Sequence, residues 1–417
     1  MGPRPMNSRL KSVVTCPVEK SDGRPYPFVG LEDIGSGTGS LITGELPLKA
    51  ALDSVLHRPG DVLFSKLRPY LAKSYKPESR GSGTGELLVL RPQQCIDSRF
   101  LLYVTLSSPW LEWAVTTSYG TKMPRTSWEA MSEYRLNLPT LDEQRRIADF
   151  LDAETVRVDA LIERRNAQRA VLAELELARI GEHLRGADPN TDRTGTGWRW
   201  LPSIPAGWMV GPIYAYFDIQ LGKMLNAERA SGERQQSYLR NANVHWYEID
   251  TDDLATMTFE PDEKIRYGLH AGDLMVCEGG AGVAEAAVWD GRISKCFYQK
   301  SLHRVRPARH LPVEWLMYWL RFAKAAGVFD ADGNLATIPH LTGEQLAEYR
   351  IPIPADGHRR VAELGSDIAA IRKTQVEMAS ADALLFERRQ VLVTAAVTGQ
   401  IDVTTARSLS SSGSASV

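Results

Sequence analysis

Two stretches of this 417-residue chain are nearly the same: EYRLNLP at Glu133–Pro139 and EYRIPIP at Glu348–Pro354, 215 positions apart (348 − 133 = 215). Other segments recur near the same offset. Leu90-Arg91-Pro92 returns as Val305-Arg306-Pro307, Phe100-Leu101-Leu102-Tyr103 as Trp315-Leu316-Met317-Tyr318, and Pro124 as Pro339. Upstream, PGDVLFSK (Pro59–Lys66) matches AGDLMVCE (Ala271–Glu278). Downstream, RRIADFL (Arg145–Leu151) matches RRVAELG (Arg359–Gly365). Small drifts in offset are what loop insertions leave behind. The whole chain is therefore a tandem duplication. Two copies are too few for a solenoid, which needs at least three repeats to bury its faces. A pseudo-two-fold arrangement of two like halves is expected instead.

Each half has the same two-part grammar. The first part is rich in Gly, Pro, aromatic and β-branched residues. VLFSKLRPYL after Pro59-Gly60-Asp61 and LMVCE after Ala271-Gly272-Asp273 read as strands leaving turns. This predicts compact α+β domains over residues 1–139 and 208–354.

The second part is a long amphipathic stretch. From Asp142 to Leu184 there is no proline, and the only glycine is Gly181. Ile147, Leu151, Val158, Leu161, Leu172 and Leu175 fall on one seam of three- and four-residue steps, interrupted by Glu154, Arg165 and Gln168. The second half supplies a matching stripe of Leu364, Ile368, Ile371, Met378, Leu385 and Leu392. At ~1.5 Å per residue such a helix is a rod of roughly 65 Å, too long to be stabilised by its own domain alone. Helices over 140–186 and 355–403 are expected to pair as an antiparallel coiled coil. Thr140 with Glu143 spells a capping box, and Gly186 and Gly399 are natural stops. Residues 187–207 read as a linker feeding a strand or docking loop. Residues 404–417 read as a disordered tail, and Met1–Pro5 as a weakly ordered leader with Met6 a second possible start.

Charge and motif content narrow the function classes. The net charge is −2, but residues 1–139 carry 17 Lys+Arg against 13 Asp+Glu, whereas residues 187–354 carry 17 against 21. A protein that grips nucleic acid unaided is normally basic overall, so a partner is expected to supply part of the electrostatics. Cys16, Cys95, Cys277 and Cys296 have no metal-ligand or disulfide-framework spacing, which fits a reducing cytosol and predicts no metal site. There is no apolar run of ~18 residues to span a bilayer and no apolar signal-peptide core. The runs GSGTG at Gly35–Gly39 and Gly81–Gly85 lack the Gly-Lys-Ser/Thr of a phosphate cradle and read as mobile loops. No helical His pair, nucleophile elbow or Asn-Pro-Pro-aromatic stretch is present, so catalysis by this chain alone is not expected.

Two α+β domains, each followed by a long helix, with LPxLxEQRRIADFLD opening the first, resemble the specificity subunit of type I restriction–modification systems. The residues that carry the resemblance are Leu138-Pro139, Glu143-Gln144-Arg145-Arg146-Ile147 and Asp159-Ala160-Leu161-Ile162, with VTAAVTGQIDV (Val393–Val403) at the far end. Phe28–Ile34 and Pro59–Phe64 also look like phrases of the family's target-recognition domains. The resemblance covers residues 9–404. The second copy departs from it, reading ADGHRRVAEL and lacking the Glu-Gln pair. The first half lacks the Gly-Trp opening that Ala206-Gly207-Trp208 provides in the second, so its domain is expected to begin abruptly.

The resemblance implies a non-catalytic cytoplasmic subunit in which each domain reads one half of a bipartite double-stranded DNA target. The helices would set the spacing and dock methyltransferase subunits, two of them, which carry the S-adenosylmethionine. Motor and endonuclease subunits are further partners of such systems. Base and phosphate contacts need Arg, Lys, Asn or Gln. The candidates are Lys66, Arg68 and Lys73, Lys122 and Arg125 in YGTKMPRTSW, Arg240, Asn241 and Asn243 in YLRNANVHW, and His340. The competing readings are a fused methyltransferase or nuclease, for which the chain leaves no room, and a scaffold that has lost DNA reading, to which the acidic second domain points.

Overall fold

The computed structural model describes residues 6–42, 44–186, 191–224, 235–280, 282–329 and 340–403. Pro339, the leader Met1–Pro5 and the tail 404–417 lie outside the described residues. No described helix is long and apolar enough to cross a membrane. The chain divides into two compact units. One runs to Asn166 and resumes at Met378; the other spans Ala167–Glu377.

The first unit begins with β1 (Met6–Arg9), β2 (Val14–Thr15), β3 (Tyr26–Val29), β4 (Leu48–Lys49) and β5 (Val55–His57). There follow β6 (Val62–Ser65), β7 (Ser74–Tyr75), β8 (Gly81–Gly83) and β9 (Leu87–Pro92). Then come α1 (Ser98–Leu106), α2 (Ser108–Thr116), α3 (Trp128–Met131) and β10 (Arg135–Leu138). Two four-stranded sheets form, in the orders β2-β9-β6-β7 and β4-β3-β8-β5. VLFS of β6 is buried on both faces, as an unbroken apolar run requires, and pairs with β9 in the register Val62↔Leu90. Phe64 meets Trp110 edge-on at 5.5 Å in the core, and Asp97 caps α1 by accepting from Arg99 N and Phe100 N.

The repeated heptapeptide now has a physical role. EYRLNLP supplies β10, with Leu136 and Leu138 buried and Arg135 and Asn137 exposed, and β10 pairs with the domain's first strand β1, Met6 opposite Leu138. It closes the domain and delivers the chain to α4 (Leu141–Arg185). The start of α4 is tied back to the domain. Gln144, fully buried, accepts from Asp97 N at 2.8 Å and donates to the carbonyls of Cys95 and Pro139. Thr140 and Glu143 form the expected capping box, Thr140 N donating to Glu143 Oε2 at 2.9 Å.

The second unit repeats this plan. The span read as a linker contains a hairpin, β11 (Arg193–Gly195) and β12 (Ser203–Pro205), whose Trp198 and Trp200 stack at 5.2 Å. Trp200 packs on Trp319 of the domain core. After it come β13 (Met209–Pro212), β14 (Phe217–Leu221), β15 (Gln235–Leu239), β16 (Val244–His245), β17 (Glu248–Ile249) and β18 (Ala255–Thr258). Then α5 (Pro261–Tyr267), β19 (Leu274–Cys277), β20 (Ala286–Val288), β21 (Phe297–Tyr298), β22 (Leu302–Pro307), α6 (Val313–Ala325), α7 (Gly343–Glu348) and β23 (Arg350–Ile353) follow. The sheet β14-β22-β19-β20 corresponds to β2-β9-β6-β7, and EYRIPIP supplies β23, which pairs with β13 as β10 does with β1.

The second long helix, α8 (Gly357–Thr398), pairs with α4 in antiparallel sense. In the first unit Ile147 and Leu151 share a core with Val393, Ala396 and Val397, and Arg165 donates to Asp382 at 3.2 Å. In the second, Ile180 and Leu184 share a core with Leu364 and Ile368. Ile371 and Val158 are buried, and Leu172, Met378, Leu385 and Leu392 are half-buried. Two positions of the expected seam turn outward. Leu161 and Leu175 are 46 % and 43 % exposed, and their neighbours Ile162 and Glu176 lie inside. From Val158 the inward positions step by four to Ile162 and by three to Arg165, so the helical phase passes Leu161 by. Both helices end on left-handed glycines, Gly186 at φ 60° and Gly399 at φ 75°.

The reading of the second glycine run as a mobile loop needs correction. Gly81–Gly83 form the buried strand β8, parallel to β3. A Cβ at Gly81 would lie 2.6 Å from the His57 ring and 2.7 Å from Pro27 O, so glycine is required there by close packing.

Candidate nucleic-acid interface

In the first unit two segments far apart in sequence form one edge. Thr126 N donates to Lys66 O at 3.0 Å, Arg68 N to Pro124 O at 2.8 Å, and Tyr119 and Arg125 exchange backbone bonds at 3.0 Å. This places Lys66 and Arg68, which follow β6, beside the Lys122–Arg125 loop. Arg68 and Lys122 are exposed, and Lys66 is half-buried. Arg125 is half-buried and paired with Glu86 at 2.9 Å. Arg68 and Ala72 hold left-handed backbones, φ 48° and 50°, at either end of the turn Pro69–Leu71, a conformation costing about 1–2 kcal/mol for a residue with a Cβ. Lys73 O accepts from Ser65 N at 3.0 Å, next to Lys66, but its ammonium is engaged elsewhere, Nζ donating to Leu31 O at 2.5 Å.

In the second unit Arg240, Asn241 and Asn243 sit on the turn between β15 and β16. Asn243 is 2 % exposed, accepts from Arg240 N at 2.9 Å and donates to Asp253 O at 3.1 Å. Its amide shapes the turn. Arg240 Nη2 donates to both Asp253 O and Asp253 Oδ2 at 2.9 Å, a surface ion pair with an exposed carboxylate. Asn241 donates to Gly279 O at 2.7 Å, and Gly279 forms an antiparallel bridge with exposed His340. Asn241 and His340 therefore meet at one glycine, 99 positions apart in sequence (340 − 241 = 99).

Residues on the long helices that position these domains escaped the sequence reading. Arg389 donates to the carbonyls of Gly37 and Thr38, clasping the first glycine run, and Glu176 accepts from Tyr247 and Arg321. A charge on a long helix reads as solvated until the element covering it is known.

Among the described residues no group of three or more His, Cys, Asp or Glu side chains could hold a metal ion. All four thiols are free. Burial pushes Cys277 and Cys296 up to about 12 and Cys16 to about 11, so these three stay protonated and weakly nucleophilic at neutral pH.

Comparison with known proteins finds a similarity centred on this domain. Residues 75–168, from β7 through β10 into the first half of α4, match the family model described as type I restriction modification DNA specificity domain. Over that stretch the chain is similar to a type I DNA specificity domain. It is 25 % identical over 167 residues to the type I restriction enzyme EcoDI specificity subunit of Escherichia coli, a match covering 38 % of this chain and 37 % of that protein. The matched region thus spans little more than a third of that relative. A likeness of fold extends well beyond it. A chain from a solved structure on complex assembly and conformational transition of the type I R-M system superposes with TM-score 0.70 at 20 % identity, covering 96 % of this chain and 99 % of that one. The crystal structure of the HsdS subunit from Thermoanaerobacter tengcongensis aligns with TM-score 0.45 at 20 % identity, over 96 % and 98 % of the two chains.

Proposed function

We propose that this chain is the DNA-recognition and assembly subunit of a type I restriction–modification complex. Each domain reads one half of a bipartite duplex target, and the paired helices dock methyltransferase subunits that bring S-adenosylmethionine. The observation that carries this reading is the gathering of Lys66, Arg68, Lys122 and Arg125 onto one edge of the first domain by two segments more than fifty residues apart. Cations grouped in this way suit phosphate positioning, and Arg68 suits bidentate reading of guanine. In the second domain Asn241 and His340 are the matching pair, and Asn243 holds their turn. The near-neutral net charge assigns the remaining phosphate contacts to the partners.

The test is reconstitution with a methyltransferase subunit and methylation-sensitive sequencing of a randomised duplex. A two-part methylated motif is expected, and replacing residues 9–139 by the first domain of a relative should alter one part only. Methyl transfer by the isolated chain, or a change in both parts at once, would overturn the reading. The ion-paired Arg240 and the acidic second domain favour a second reading, a scaffold with only one working recognition domain. A motif with a single specified part would select it.

A further inference from the structure

The inward positions of the two long helices repeat at a single spacing. Leu151, Ile180 and Leu184 of α4 correspond to Leu364, Val393 and Val397 of α8, each 213 positions on (364 − 151 = 213). At that same spacing Glu176 corresponds to Arg389, and Asp159 to Arg372. Equivalent places thus hold opposite charges.

Glu176, Arg372 and Arg389 each contact the adjacent domain, and Asp159 stands beside Arg389. In the first unit Arg389, 4 % exposed, donates to the Gly37 and Thr38 carbonyls, with Asp159 3.7 Å from its Nε. In the second unit Glu176, also 4 % exposed, accepts from the Tyr247 hydroxyl at 2.7 Å and Arg321 Nε at 2.8 Å. There Arg372 pairs with Glu248 at 3.0 Å and lies over the Tyr247 ring. Tyr247 reaches this position from a left-handed backbone, φ 65°. Every seat therefore contains one acid from α4 and one arginine from α8, but the two exchange places between seats. The domains carry the complement. Arg99 of α1 donates to Asp149 and Asp152 of α4 at 2.8 and 2.7 Å, whereas the corresponding residue of α6 is Glu314.

We propose that this inverted charge pattern is a docking code in which Asp159, Glu176, Arg372 and Arg389 admit to each seat only the recognition domain of matching polarity. A second-type domain on the first seat would set Arg321 against Arg389, Glu248 against Asp159, and Glu314 against Asp149 and Asp152. Arg321 and Arg389 would meet largely out of water, where like charges are strongly disfavoured, whereas the more exposed carboxylate encounters would add weaker repulsion. Domain exchange is thereby confined to like seats. The code concerns assembly of the chain and is independent of DNA reading.

The full-length E176R/R389E variant keeps composition and net charge and reverses one residue in each seat. Hydrogen exchange followed by mass spectrometry should show amide protection falling at least about 100-fold in residues 36–40 and 244–249, with β6 and β19 unchanged. Adding R321E should restore residues 244–249 and leave 36–40 unprotected. Wild-type protection in the double variant would overturn the code. So would failure of R321E to restore the second seat, since Glu176 would then act by packing alone. Should the double variant not fold, R321E against E176R/R321E decides the matter. Loss of 244–249 protection in the single variant and its recovery in the pair supports the code, and no recovery overturns it.

Discussion

The carboxylate of Asp61, 2 % exposed, holds Arg91 through Nε at 2.8 Å and Nη2 at 2.9 Å, and also accepts from Arg58 N. Asp273 holds Arg306 in the same way, at 2.5 and 2.8 Å, and accepts from His270 N. The repeated Gly-Asp turn and the repeated Arg-Pro strand end are therefore the two sides of one fork in each domain. The Asp61 carboxylate raises Arg91 above the ordinary arginine range.

Asp61→Ala leaves Arg91 without its buried partner, although Glu19 remains at 2.8 Å. Breaking such a pair costs about 3 kcal/mol, the lower end of the range because Arg91 is 24 % exposed. Asp273→Ala should act similarly on the second domain. Urea unfolding of the full chain measures both. Losses under about 1 kcal/mol would show that the fork orders the turn without stabilising it.

His57 ends β5 opposite Gly81 of β8, 2 % exposed, and burial lowers it to about 4. A base whose folded value is depressed binds its proton better unfolded. Its contribution is intact above about pH 6.5 and is lost as pH falls towards 4. Between pH 7.5 and 4.5 this costs about 2.5 kcal/mol. The stability difference between the native chain and His57→Gln should shrink by about that much over the interval, and parallel curves would refute the assignment.

The phase of the helix pair separates two leucines ten positions apart. Leu151 is fully buried, so Leu151→Ala should cost about 2–5 kcal/mol. Leu161 is 46 % exposed, and Leu161→Ala should stay within about 0.5 kcal/mol. Thermal unfolding of the two variants distinguishes this phase from one in which both face the partner helix.

In the assembled complex, Arg68→Ala and Lys122→Ala should each weaken DNA binding and lower the slope of log K against log salt by about 1 if the contact is to phosphate. A loss confined to one base position would mark a base contact instead, expected for Arg68. Lys73→Ala should leave both quantities unchanged, because its ammonium is engaged at Leu31 O.

The duplication, the exit strand EYR-x-x-x-P, the capping box at Thr140 and the terminal glycines were all legible in the sequence, because each rests on local spacing and backbone chemistry. The fork between Asp61 and Arg91 joins two motifs that the repeat had already singled out, but their meeting is a contact across a sheet. Tertiary structure alone decided which of Leu161 and Ile162 turns inward, since a long helix drifts in phase and only its partner selects the face. It also decided that Gly81–Gly83 is a strand and that Asn243 shapes a turn. Arg389 and Glu176 show the limit most clearly. On a helix rich in charge, a buried ion looks like any solvated one until the domain that covers it is in place.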